Sequence, residues 1–215
     1  MIRTSLAFAL ALVLLQAAPS LAGIILFNSD PFEGSTALTT PGRQVVGNEL
    51  FLPEFSIEND VFAFDPTFFD VDAPVSFFNG PASGLPTGGL NVIVLQDSDN
   101  DNNPATVFNA GLAANLIAAQ ITQPGAGFFI YFNSASSINA NRLVYSTDLS
   151  SDQADLKILA RIVSPTGNEA IAALPTFQAD NFAIVPEPST FALSATGAIG
   201  LGLIQLARRR LRASR

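Results

Sequence analysis

The sequence predicts a mainly β protein, a two-layer antiparallel β-sandwich of jelly-roll kind with one or two short helices. Three observations point there. Short apolar runs recur along the chain, each bounded by Gly, Pro, Asn or Asp, and the 215 residues include 15 Gly and 14 Pro. β-branched and aromatic residues dominate those runs, and the chain holds 18 Phe but no Trp. Hydrophobic residues make up 48% against 13% charged, enough apolar material for a packed core.

Taken in order, "GIILFN" (23–28) is the candidate first strand. "VFAFD" (61–65), "VSFFNG" (75–80), "NVIVLQD" (91–97), "GFFIYFN" (127–133) and "RLVYSTDL" (142–149) follow. In "ADLKILARIV" (154–163), Leu156, Ile158, Ala160 and Ile162 alternate with Lys157 and Arg161, which predicts one buried and one solvated face. "ADNFAIV" (179–185) is the last strand. One helix stands out in "NAGLAANLIAAQI" (109–121), with Asn109 as N-cap and an apolar stripe of Leu112, Leu116 and Ala119, flanked by Ala113, Ile117 and Gln120. A second short helix fits "NEAIAAL" (168–174). Phenylalanines come in adjacent pairs, Phe68-Phe69, Phe77-Phe78 and Phe128-Phe129. In a strand such neighbours face opposite sides. The second ring of each pair either packs into core or lines a carbohydrate platform; the lack of Trp and the two Tyr favour core.

Several chemistries are excluded by composition. With no Cys and no His, the chain has no thiol nucleophile, disulfide, imidazole base or Cys/His zinc site. Between Gly23 and Val185 the cations are Arg43, Arg142, Lys157 and Arg161. Of 18 Asp and Glu only Glu187 lies outside that segment, so four cations face 17 carboxylates, a net charge of −13. Such a body repels nucleic acid and keeps an exported protein soluble. Paired carboxylates can hydrolyse glycosides, but among so many acids chance pairs carry no signal; no enzyme is expected.

One stretch has metal-ligand character. "DSDNDNNP" (97–104) sets Asp97, Asp99 and Asp101 alternately, with Asn100, Asn102 and Asn103 adding carbonyl oxygens, a hard-oxygen set suited to calcium. Asn102 stands where an EF-hand needs Gly, and Phe108 where it needs Glu, so this is no EF-hand. A looser calcium loop competes with a solvated Asx-rich turn, and the turn is the expected reading.

The two ends are the most informative parts. Residues 1–22 show Arg3, a ten-residue apolar run from Leu6 to Leu15, and small residues at Ser20 and Ala22. That is the layout of a secretory signal peptide cut between Ala22 and Gly23 by signal peptidase. The apolar run is short for a membrane span. Near the C-terminus, "VPEPSTFALSATGAIGLGLIQLARRR" places Pro186-Glu187-Pro188 before an uncharged run at 191–207, followed by Arg208, Arg209, Arg210 and a basic tail at 208–215. As a helix the uncharged run reaches ~25 Å, near the lower limit for a bilayer core. The arginines hold the tail in the cytoplasm and leave the middle outside. The prolines keep the segment before the span extended, a form a membrane peptidase can bind as a strand.

Residues 185–212 resemble the PEP-CTERM sorting signal, with its Val-Pro-Glu-Pro-Ser/Thr opening, Gly/Leu/Ala-rich span and Arg-rich end. The resemblance implies a Gram-negative envelope, processing by an exosortase-type membrane peptidase, and a link to exopolysaccharide and biofilm. The expected organisation is then a signal peptide at 1–22, an acidic extracytoplasmic β-rich domain at 23–184, and the sorting signal at 185–212. The expected function is that of an exported surface or matrix protein. A carbohydrate-binding module, calcium-assisted or not, is the alternative, and an extracellular glycoside hydrolase a weaker third.

Overall fold

A computed structural model describes residues 23–98, 107–134 and 139–185. These form ten strands: β1 (Ile24–Phe27), β2 (Val45–Val46), β3 (Leu50–Leu52), β4 (Val61–Phe64), β5 (Phe77–Gly80), β6 (Val92–Leu95), β7 (Gly127–Asn133), β8 (Ala140–Ser146), β9 (Leu156–Ile162) and β10 (Phe182–Ile184). Three short helices join them: α1 (Pro66–Phe69), α2 (Ala110–Ala118) and α3 (Gly167–Ala173). The protein is thus mainly sheet, as the recurrent apolar runs imply.

Two sheets are present. A three-stranded sheet has the order β1-β4-β10. A seven-stranded sheet runs β2-β9-β8-β7-β6-β5, with β3 also on β9. The strand directions correct the antiparallel expectation. Among the described residues, β1 and β10 pair parallel to β4, β2 and β3 parallel to β9, and β5, β6 and β7 run parallel to one another. Only β7–β8 and β8–β9 are antiparallel. The cause lies in the connections. Between β6 and β7 the chain passes through α2, and between β5 and β6 through a 3-10 turn at Ala82–Gly84. Each link carries the chain back to the end of the sheet where the preceding strand began, as parallel pairing requires.

Both faces of the large sheet are covered. On one side Val92, Val94, Phe128, Ile130, Leu143 and Tyr145 meet Phe62, Phe64 and Phe182 of the small sheet in one core. Phe64 stacks on Phe128 with ring centroids 3.6 Å apart. On the other side Ala113, Ala114 and Ile117 of α2 pack with Ile93, Phe129, Tyr131, Val144, Leu156 and Ile158. Asn109 caps this helix as expected, its Oδ1 accepting the Leu112 N–H at 3.1 Å. The buried stripe differs from the expected one: Leu112 and Leu116 are exposed, while Ala110, Ala113, Ala114 and Ile117 are buried. The helix is apolar nearly all round, so periodicity could not choose its face. The sheet selects the alanines, whose small side chains let the helix lie close.

A second correction concerns β9. The register with β8 slips between Leu143 and Val144, so that Leu143 pairs with Ala160 and Val144 with Ile158. The extra residue, Leu159, forms a bulge. Leu156 and Ile158 face the helix side, whereas Ala160 and Ile162 face the small sheet. The four residues expected on one face are split between two.

The long stretch from β1 to β4 is held by side-chain bonds. Asp155 accepts the Leu38 N–H at 2.7 Å and the Gln44 N–H at 2.6 Å. Asn181 donates to the Ile57 carbonyl at 2.5 Å and the Asp60 carbonyl at 3.0 Å. These bonds satisfy backbone groups that no ladder reaches.

Candidate functional site

Of the residues expected to act in processing only Gly23 is described, and it lies at one margin of the small sheet. Gly23 immediately precedes β1, its N–H donating to Asp60 Oδ1 at 2.8 Å. Asp60 Oδ2 accepts the Ser56 N–H, also at 2.8 Å. A Cβ at position 23 would lie 2.7 Å from Asp60 Oδ1, so glycine alone fits without a shift. At the other margin, the Val185 N–H donates to the Phe64 carbonyl at 2.8 Å. Ala22, Pro186, Glu187, Pro188, Arg208, Arg209 and Arg210 lie outside the described residues, as does the 191–207 run. Among the described residues no helix is long and apolar enough to cross a membrane.

Of the three candidate calcium ligands, Asp97 is described and Asp99 and Asp101 are not. Asp97 Oδ2 accepts the Ala82 N–H at 2.6 Å and so anchors the 3-10 turn at Ala82–Gly84. Among the described residues no group of three or more His, Cys, Asp or Glu is poised to hold a metal.

Two of the three Phe pairs resolve into core with both rings. Phe128 faces the small sheet and Phe129 faces α2, both fully buried. Phe77 and Phe78 likewise pack against opposite cores. Phe68 and Phe69 belong to α1 rather than a strand, and Phe68 is exposed while Phe69 is buried. Phe69 supplies the carbonyl that accepts the Tyr145 hydroxyl at 2.6 Å. Burial pushes that hydroxyl's pKa upward, helped by the Asp70 charge.

The most distinctive polar feature comes from the scarce cations. Two of the four act as clamps. Arg43 donates to the carbonyls of Ala154, Gly111 and Ser151 and to Asn115 Oδ1, tying the long loop to α2 and the β8–β9 turn. Lys157 donates to the Gly47 carbonyl at 2.6 Å. The other two, Arg142 and Arg161, are direct cross-strand partners on β8 and β9. The β9 bulge places Arg161 and Lys157 on opposite faces, not on the shared solvated face that alternation implied.

Arg142 and Arg161 belong to a row across four strands. Tyr131 on β7 pairs with Arg142, Arg142 with Arg161, and Arg161 with Phe51 on β3. Glu49, just before β3, hydrogen-bonds Arg161 and stands 3.8 Å from Arg142. The side chains of Arg142, Arg161 and Glu49 are 12%, 15% and 11% exposed. The Arg161 guanidinium lies 4.9 Å from the centroid of the Phe51 ring, and Phe51 as a residue is 56% exposed. Burial acts to raise the Glu49 carboxyl, but its own backbone N–H and the two arginine charges outweigh it and hold the group below the ordinary range. Burial pushes the Tyr131 hydroxyl up to about 12, so it stays protonated beside the arginines. The sequence marked these cations as scarce and set Arg161 on a solvated face; that Arg142 and Arg161 converge, nearly buried, depends on strand register. No family model, no curated protein and no solved structure matches this chain.

Proposed function

We propose that the protein is an exported, non-enzymatic surface or matrix protein, made with a cleavable leader at 1–22 and sorted by the segment 185–212. On this reading the apolar run at 191–207 pauses the chain in the inner membrane. An exosortase-type peptidase then cuts near Pro186-Glu187-Pro188, and the domain is left at the cell surface or in an exopolysaccharide matrix. The sequence of both ends is the ground for this. One structural observation supports it most: Gly23 immediately precedes β1 and Val185 immediately follows β10, and these two strands flank β4 in the small sheet. Both cuts would therefore fall outside every strand described, and the two cores would keep all their members. The −13 charge between the cuts suits a solvated life outside the cell.

The test follows the C-terminus. Glu187→Ala, or removal of residues 208–215, leaves unprocessed chain in the inner membrane. The wild type gives an intact mass that begins at Gly23 and ends near the Pro-Glu-Pro triplet. Variants that mature and leave the membrane like wild type would sink the sorting reading.

A carbohydrate-binding module is the second reading, favoured by the exposed residue Phe51, whose ring lies beside Arg161. Polysaccharide pull-down with and without a chelator tests it and its calcium dependence. Absence of binding to any matrix polysaccharide removes it.

A further inference from the structure

We infer that the Arg142–Arg161 pair is an oxyanion site, taking one carboxylate or sulfate group of a ligand. Three observations converge. First, like charges placed directly opposite on neighbouring strands repel, and Glu49 neutralises only one of the two. It hydrogen-bonds Arg161 and meets Arg142 only at 3.8 Å, outside hydrogen-bond range. Among the described residues no second carboxylate pairs with the two guanidiniums, so this nearly buried patch holds two positive charges against one negative, in a segment whose net charge is −13. Burying a charge without a partner is costly.

Second, the unpartnered atoms of the patch are of one kind. Arg142 Nε, Arg161 Nε and Asn133 Nδ2 are buried and without a hydrogen-bond partner among the described residues. All three are donors. Asn133 is fully buried and stands two residues from Tyr131 on the same face of β7, its Oδ1 already taken by the Tyr131 hydroxyl at 3.3 Å. Three donors on adjacent strands want an acceptor with several lone pairs, which is what an oxyanion provides.

Third, the surroundings suit such a ligand. Tyr131 remains neutral and adds no competing negative charge. Phe51, an exposed residue, forms an apolar wall beside the Arg161 guanidinium. A free oxyanion and the acid group of an acidic sugar share this chemistry, and a sugar ring could also lie on Phe51. The site stands independently of export and sorting.

The experiment uses the purified full chain. Its melting temperature and calorimetric binding are measured in sodium acetate, sodium sulfate and sodium glucuronate, at ionic strength matched with sodium chloride. The expected result is a saturable rise in melting temperature with these oxyanions beyond that in chloride. Arg142→Gln weakens the apparent affinity roughly tenfold or more, the low end for a lost charge-assisted hydrogen bond. Glu49→Gln tightens it, because a competing carboxylate is gone. Should Arg142→Gln fail to fold, Arg142→Lys keeps the charge but loses the fork, and still weakens binding. Glucuronate binding tighter than acetate, and weakened by Phe51→Ala, points to an acidic sugar; equal binding points to a free oxyanion, and either supports the site. No saturable effect of any of the three anions on the wild type overturns it. So does an effect that survives unchanged in both Arg142→Gln and Arg161→Gln.

Discussion

Replacing Gly23 by Ala tests how the first strand is anchored. The new Cβ would stand 2.7 Å from Asp60 Oδ1 and 3.3 Å from Asp60 Cγ. The carboxylate cannot swing aside freely, since it holds the Gly23 and Ser56 N–H groups at 2.8 Å each. Turning it off its rotamer costs about 0.5–1.5 kcal/mol, and weakening hydrogen bonds to a charged acceptor worth about 1.5–3 kcal/mol each adds a fraction of that. The expected loss is about 2 kcal/mol. For a chain of this size that lowers the melting temperature by about 4–8 °C. Asp60→Asn, which keeps one acceptor oxygen, should cost about half as much. Urea unfolding of the purified protein is the assay. The two changes should not add, because they act on one contact. If Gly23→Ala unfolds within about 0.3 kcal/mol of wild type, or if the double variant shows the full sum, Asp60 does not anchor the strand. An Ala at this position also keeps a small residue after the expected cut, so leader removal can be followed in the same variant.

Two further predictions concern the core and pH. Phe64→Ala and Phe129→Ala each empty a fully buried site, on opposite faces of the large sheet, and should each cost about 3–5 kcal/mol in urea unfolding. Phe51→Ala, at an exposed site, should cost under about 1 kcal/mol; equal losses at the three positions would contradict the assignment of rings to core and surface. Glu49 has a lowered folded pKa, so its stabilising contribution is full above the ordinary carboxyl value of about 4.3 and is lost as pH falls through the lower folded value. The stability gap between wild type and Glu49→Gln should shrink on acidification from about pH 6 to about pH 3; a gap independent of pH would show that the arginine charges do not act on it.

Local strings carried much of the fold. "VFAFD", "NVIVLQD" and "GFFIYFN" became β4, β6 and β7, and Asn109 caps its helix. These elements were readable because strand propensity, turn residues and caps act within a few residues. The direction of pairing was not readable in the same way. A Gly- or Pro-bounded gap looks alike whether it closes a hairpin or returns the chain for a parallel strand. β2, β3 and α1 are too short to leave a pattern, at two to four residues each. The α2 face was ambiguous because "AGLAANLIA" is apolar almost all round, and the approach of the helix to the sheet chose the alanines.

The arginine row shows the division most sharply. The sequence alone settles that the middle of the chain has four cations, no Cys and no His, and it marks the two ends by their composition. Those are properties of the covalent chain and need no folding. That Arg142 faces Arg161 and that Lys157 is turned away from it depends on one bulge at Leu159. A one-residue slip exchanges the faces of a strand. Which charges meet is therefore decided only when distant strands settle into register, and no local reading of 154–163 contains it.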